Sequence, residues 1–152
     1  MTEQIFKRVL IVDDDDNILD SFEDLFEAHD WPDMVYDLCS DMPSAMKKIV
    51  AADSPYDLIV ADLCMPGPDP KNYGYSGPYL IEAFLKRSRK DCIAVVISAQ
   101  MDNWLIKNMG DQILMFSKPF KVPFLWAKSE DACKDIREGG SPKLTFFQTG
   151  AP

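Results

Sequence analysis

The sequence predicts a single α/β domain built on an open parallel sheet of five strands with helices on both faces. Two observations lead there. Short runs rich in Val, Ile and Leu alternate five times with amphipathic segments, the order expected of strands joined by right-handed helical crossovers. Several of those runs are continuously apolar instead of alternating with polar residues, as strands buried on both faces are. Residues 1–138 read as this domain and residues 139–152 as a C-terminal tail, with no internal repeat and no output domain expected. The length of 152 residues suits one core.

Val9-Leu10-Ile11-Val12 is the first strand, stopped by the four aspartates Asp13 to Asp16. From Asn17 to His29, Ile18, Leu19, Phe22, Leu25 and Phe26 recur at helical spacing with carboxylates between them. Asp33 to Leu38 reads as a second, shorter strand. Pro43 opens a helix carrying Ala45, Met46, Ile49 and Val50, since proline is tolerated in a first turn. Leu58 to Ala61 is the third strand and ends at Asp62. A Pro/Gly/Tyr-rich stretch from Pro66 to Pro78 precedes a helix through Tyr79, Leu80, Ile81, Phe84 and Leu85. Ile93 to Ile97 is the fourth strand, ending at Ser98. A short helix over roughly Asp102 to Met109 is stopped by Gly110. Ile113 to Phe116 is the fifth strand, followed by Ser117-Lys118-Pro119. The last helix runs from about Pro123 to Arg137, where Gly139-Gly140-Ser141-Pro142 breaks it. The tail beyond has an apolar tip (Leu144, Phe146, Phe147) suited to docking on the domain or on a partner.

Composition narrows the function classes. The net charge is −9, from 25 acidic against 16 basic residues, and no basic stripe is present, so a nucleic-acid surface is not expected. No apolar run approaches the roughly 20 residues that cross a bilayer, and the first residues lack a signal-peptide pattern. A cytoplasmic protein with no membrane partner is expected. Cys39, Cys64, Cys92 and Cys133 are scattered with no Cys-x-x-Cys pair, which favours buried, reduced thiols over a metal or redox framework. His29 is the only histidine and sits near a helix end, where a surface or cap role is expected. Trp31, Trp104, Trp126 and Phe124 read first as packing residues.

The chemistry collects where the strands end. Ligands of open parallel sheets bind beyond the carboxyl ends of the strands. Asp13 and Asp14 follow the first strand, Asp62 the third, Ser98 the fourth and Lys118 the fifth. Each alone has an ordinary explanation: an acidic turn at a helix start, a strand-end serine, a surface lysine. Their joint placement does not. Three adjacent carboxylates call for a compensating cation, and hard oxygen donors suit Mg²⁺ or Mn²⁺. A lysine and a serine hydroxyl suit phosphoryl oxygens, and a carboxylate beside a metal can act as a phosphoryl nucleophile.

Val9 to Asp15, Asp57 to Pro66, Val95 to Ala99 and Ser117 to Phe120 resemble the signature blocks of the response-regulator receiver domain, the CheY-like family of two-component signalling. The resemblance runs from about Lys7 to Arg137. It implies a flavodoxin-like sheet in the order 2-1-3-4-5 and a phosphorylated signalling switch, not an enzyme with an external substrate. It implies Asp62 as phosphoacceptor, with Asp14 and Asp62 holding the metal directly, Asp13 mainly through water, and the Cys64 backbone carbonyl completing the protein's share. Ser98 matches the family's switch Ser/Thr, Lys118 its phosphoryl-contacting lysine, and Pro119 the place of a cis Lys-Pro bond. The implied partners are a sensor histidine kinase or a histidine phosphotransfer protein, and an unknown downstream protein. The last two helices, which carry Trp104 and Trp126, are the candidate homodimer or effector face.

Two departures stand out. Met115 occupies the position of the family's aromatic switch residue, with Phe116 directed to the other face of the strand. The stretch Gly67 to Pro78 is longer than the family's usual turn. Two competing readings stay open on sequence. One is a haloacid-dehalogenase-type phosphohydrolase using Asp13 with Asp15, although a cap and a second late acidic pair are missing. The other is a phosphate-independent pseudo-receiver that keeps the fold as a binding module.

Overall fold

A computed structural model describes residues 5–29, 31–63, 76–88, 92–97, 112–139 and 145–147. The strands are β1 (Arg8–Val12), β2 (Val35–Cys39), β3 (Leu58–Asp62), β4 (Ile93–Ile97), β5 (Ile113–Phe116) and β6 (Thr145–Phe147). The helices are α1 (Asp16–His29), α2 (Met42–Ala51), α3 (Ser76–Arg87) and α4 (Val122–Arg137). All strand pairs are parallel, and the order is β2-β1-β3-β4-β5-β6. The expected order 2-1-3-4-5 is therefore present, extended by one strand from the tail. The expected helix over 102–109, with Trp104, lies outside the described residues, as do Cys64 and the loop residues 67–75.

Every residue of β3, β4 and β5 is buried, which is what a continuous apolar run achieves when both faces of a parallel sheet are covered. Side-chain alternation splits the strands between two cores. Val9 and Ile11, Val60, Val95 and Phe116 face α1 and α4, where they pack with Leu19, Phe22, Phe26, Leu125 and Trp126. Leu10 and Val12, Ile59, Val96 and Met115 face α2 and α3, with Ala45, Ile49, Leu80, Ile81 and Phe84. Met115 and Phe116 thus occupy opposite faces, as expected of neighbours on a strand. Burying each large side chain of this kind contributes roughly 1.5–3 kcal/mol.

The element ends have local causes. β2 begins at Val35, two residues after the position expected, because Met34 N–H donates to Trp31 O (3.3 Å) and closes a turn over Trp31-Pro32-Asp33. α2 starts behind Asp41, whose Oδ1 accepts the Ser44 N–H at 2.7 Å, with proline in the first turn. α3 starts at Ser76, inside the stretch expected to be loop, since Pro78 is accommodated in a first turn. α4 ends in a turn where Gly139 N–H donates to Ile136 O (3.0 Å) and Gly139 takes φ 88°, a backbone state that favours glycine.

Trp126 is the packing residue it was first read as, and its candidacy for an interface is corrected. It is 4% exposed and packs against Phe6, Phe26 and Trp31 at ring-centroid distances of 5.3, 5.1 and 5.5 Å, so it belongs to the core and offers no surface. Phe124, read as a packing residue, is instead 42% exposed, with its ring edge-on to Phe116. His29 ends α1, is exposed and stacks on Trp31, in line with a surface role. Cys39, Cys92 and Cys133 are all buried, as expected of scattered cysteines. No helix among the described residues is long and apolar enough to cross a membrane.

Candidate functional site

The site forms at the carboxyl end of the sheet, where β1, β3 and β5 bring Asp13, Asp62 and Lys118 together, with the lysine within 4 Å of both carboxylates. Asp13 follows β1 directly, and its N–H donates to Cys39 O (3.1 Å) at the end of β2. Asp62 is the last residue of β3, opposite Ile97 of β4. Both are buried, at 0% and 5% exposure, although each carries a carboxylate. Lys118 follows β5, next to a cis bond to Pro119. Its Nζ donates to Asp62 Oδ2 at 2.7 Å and stands 3.5 Å from Asp13 Oδ2.

Asp14 is exposed at the rim. One carboxylate oxygen from each of Asp13, Asp14 and Asp62 lies within 4.8 Å of the others. The four-aspartate run therefore divides its labour. Asp13 Oδ1 accepts the Asp15 N–H at 2.9 Å, and Asp15 Oδ1 accepts the Asn17 N–H at 2.9 Å, so Asp15 serves the start of α1.

The electrostatics follow from burial. Burial pushes the Asp13 carboxyl up to about 6, with the Asp62 and Asp14 charges adding to the rise; the Asp15 N–H and Lys118 pull the other way. Burial lowers the Lys118 pKa, but the hydrogen bond to Asp62 and the charges of Asp13 and Asp62 outweigh it, and the net direction is up. Lys118 is thus a fixed cation between two carboxylates.

The donor set fits a hard divalent cation. Asp13 Oδ2 is buried and accepts no hydrogen bond among the described residues, and all three candidate ligands are carboxylate oxygens. Asp13, Asp14, Asp62 and Lys118 are brought together as the sequence implied. Ser98 and Cys64 lie outside the described residues. Ser98 directly follows Ile97, whose register partner is Asp62.

Sequence reasoning assigned no role to Asp57, at the other end of β3. It is 5% exposed, and its Oδ2 accepts the backbone N–H of Lys7 (2.8 Å) and of Arg8 (3.1 Å). That is a structural use of a buried carboxylate, tying the entry of β1 to β3. Its only sequence signal was a charged residue at the start of an apolar run.

No protein-family model matches the chain, and no curated protein matches it. Solved structures do. The signal receiver domain of an HD domain-containing protein from Pseudomonas fluorescens is 19% identical, with a TM-score of 0.63 over 91% of this chain and 95% of that one. A response regulator receiver protein from Sinorhizobium medicae is 17% identical, with a TM-score of 0.62 over 84% and 94%. The RcsB response regulator of Salmonella typhimurium is 17% identical, with a TM-score of 0.59 over 90% of this chain but only 61% of its own. At these identities the likeness establishes architecture, and that architecture is the fold of response-regulator receiver domains.

Proposed function

We propose that this chain is a receiver that takes a phosphoryl group on Asp62 and signals by altered protein binding or by passing the group onward. The observation that carries the reading is the buried Asp62 carboxylate held 2.7 Å from Lys118 beside two further aspartates, on a receiver fold.

In the reaction proposed, a carboxylate oxygen of Asp62 attacks the phosphorus of a phosphohistidine on a kinase or phosphotransfer protein. The P–N bond breaks, the imidazole keeps the electron pair and takes up a proton, and an acyl phosphate forms on Asp62. A bound Mg²⁺ or Mn²⁺, held by Asp13, Asp14 and Asp62 with the Cys64 backbone carbonyl, would neutralise charge on the transferring group. Lys118 neutralises another of its oxygens from the β5 side, and burial of Asp13 and Asp62 keeps competing water from screening those charges. After transfer, the added negative charge draws on Lys118, and through it on the end of β5. Ser98, next after β4, would donate to a phosphoryl oxygen. The chain is then a switch and not an enzyme acting on an external substrate.

The phosphohydrolase alternative loses support at the same atoms. It needs Asp15 beside Asp13 as a working acid, whereas Asp15 is exposed and engaged at the start of α1.

Incubation with Mg²⁺ and acetyl phosphate, followed by intact mass, tests the proposal. Wild type should gain one hydroxylamine-labile phosphoryl group and Asp62→Asn none. Equal labelling of the two proteins would sink it.

A further inference from the structure

We propose that the outer edge of β5 is a strand-exchange site, at which Thr145–Phe147 of one copy of this chain pairs with β5 of a second copy to make a dimer. The proposal does not rest on the phosphoryl-transfer reading.

The first argument is the hand of the connections. α1 and α4 lie on one face of the sheet, α2 and α3 on the other. The α1 crossover moves from β1 toward the β2 edge, whereas the α2 and α3 crossovers move toward the β5 edge on the opposite face. Reversing both direction and face preserves hand, so these three agree. The α4 crossover moves toward the β6 edge but runs on the face of α1. It reverses one of the two, and its hand is opposite. About 98% of such connections within one sheet are right-handed, because strand twist and helix sense oppose the other path. The pairing of β5 with β6 inside one chain is therefore made through a disfavoured connection. Made between two chains, the same pairing keeps its register and drops that constraint.

The second argument is the edge itself. Ile113, Leu114, Met115 and Phe116 are all buried, and without β6 their strand would close the sheet with open backbone donors and acceptors. Among the described residues, three residue pairs cover it: Leu114↔Thr145, Met115↔Phe146 and Phe116↔Phe147. A short strand held by so few pairs opens readily.

The third argument is reach. Seven residues, 138–144, separate α4 from β6 in the sequence, and the second of them, Gly139, turns the chain out of the helix at φ 88°. Seven residues can span about 23 Å, enough to carry the strand to a neighbouring edge. Exposed Phe124 touches Phe116, the register partner of Phe147, so an apolar ring flanks the site where a second copy would cover it. The exchange is isologous: each copy gives its strand and receives the other, which closes the assembly at two.

Two measurements on the full chain test this. Sedimentation velocity across a concentration series should show a monomer–dimer equilibrium for wild type. Phe146→Pro, which removes a backbone donor from the strand, should raise the dissociation constant by about tenfold or more while circular dichroism shows an unchanged fold. A wild type that stays monomeric throughout, or a dimer that Phe146→Pro leaves intact, overturns the proposal. The second measurement co-expresses Leu114→Cys and Thr145→Cys chains carrying tags of different mass. Parallel neighbours lie about 4.8 Å apart, within disulfide range. A 114–145 disulfide between the two chains, mapped by mass spectrometry, is the expected product. If that bridge forms only within one chain, when both substitutions are combined in it, exchange does not occur.

Discussion

Lys118 is shared by two buried carboxylates, 2.7 Å from Asp62 and 3.5 Å from Asp13, and this fixes what its removal should do. The ammonium competes with any divalent cation for the same oxygens, yet it supplies charge that a phosphoryl group needs. Lys118→Ala should therefore split two properties that a general loss of the site would lower together. Mg²⁺ binding, followed by calorimetric titration, should tighten by about fivefold, the modest value reflecting a lysine side chain that is 39% exposed and partly screened. Phosphoryl uptake from acetyl phosphate should slow by about 100-fold, the scale of losing one charge-stabilising donor. Weaker Mg²⁺ binding together with wild-type labelling would contradict this account. The two ends of β3 show how environment sets the role of one residue type. Asp57 is satisfied by two backbone N–H groups, whereas the site at Asp62 opposes carboxylates with one lysine.

Helix α2 shows what a single cap contributes to an element. Its inner face is held by Ala45 and Ile49, and its N-terminus by the Asp41 carboxylate on the Ser44 N–H. That hydrogen bond, followed by one with the Ser44 side chain, lowers the Asp41 pKa from the usual 3.8. The native state then holds fewer protons than the unfolded one, so the contribution is full above the ordinary carboxylate pKa and disappears as pH falls through the lower folded value. Asp41→Ala should cost about 1 kcal/mol at neutral pH by chemical denaturation, and the gap from wild type should close in strong acid. Asp41→Asn, which caps without titrating, should keep its advantage over Asp41→Ala across the same range. A gap for Asp41→Ala that ignores pH would show that the carboxylate is not the cap. At this scale the sequence was informative where apolar period and length agreed, as in α1, β3, β4 and β5. It was less so at ends set by single hydrogen bonds, the Asp41 cap and the turn before β2, and at the start of α3, where Pro78 falls in the first turn. β6 was legible only as an apolar tail tip, because a three-residue strand has no period and its partner lies 31 residues away.

Over the whole molecule, the site was legible because topology does the gathering. Once the strands were recognised, their carboxyl ends had to meet, and Asp13, Asp14, Asp62 and Lys118 met there. Which aspartate of the run was buried was not legible, since that depends on the turn leaving β1, and neither was the choice between core and interface for Trp126, which the packing around α4 decides for the core. The gathering also concentrates like charge in a chain already at −9. Two of the three clustered aspartates are buried beside one lysine, so a divalent cation bound to the folded site should stabilise the protein by mass action, because the unfolded chain disperses those ligands. Mg²⁺ at about 100 times its dissociation constant should add about 2.7 kcal/mol, a rise of roughly 5–10 °C in Tm for a domain of this size. EDTA should reverse the rise, and matched NaCl should not reproduce it, because screening acts on all surface charges and not on three oxygens within 4.8 Å. The doubly substituted Asp13→Asn/Asp62→Asn chain separates the two explanations. It should lose the Mg²⁺ response while keeping any response to NaCl, and an undiminished Mg²⁺ shift in that variant would place the cation elsewhere on the acidic surface.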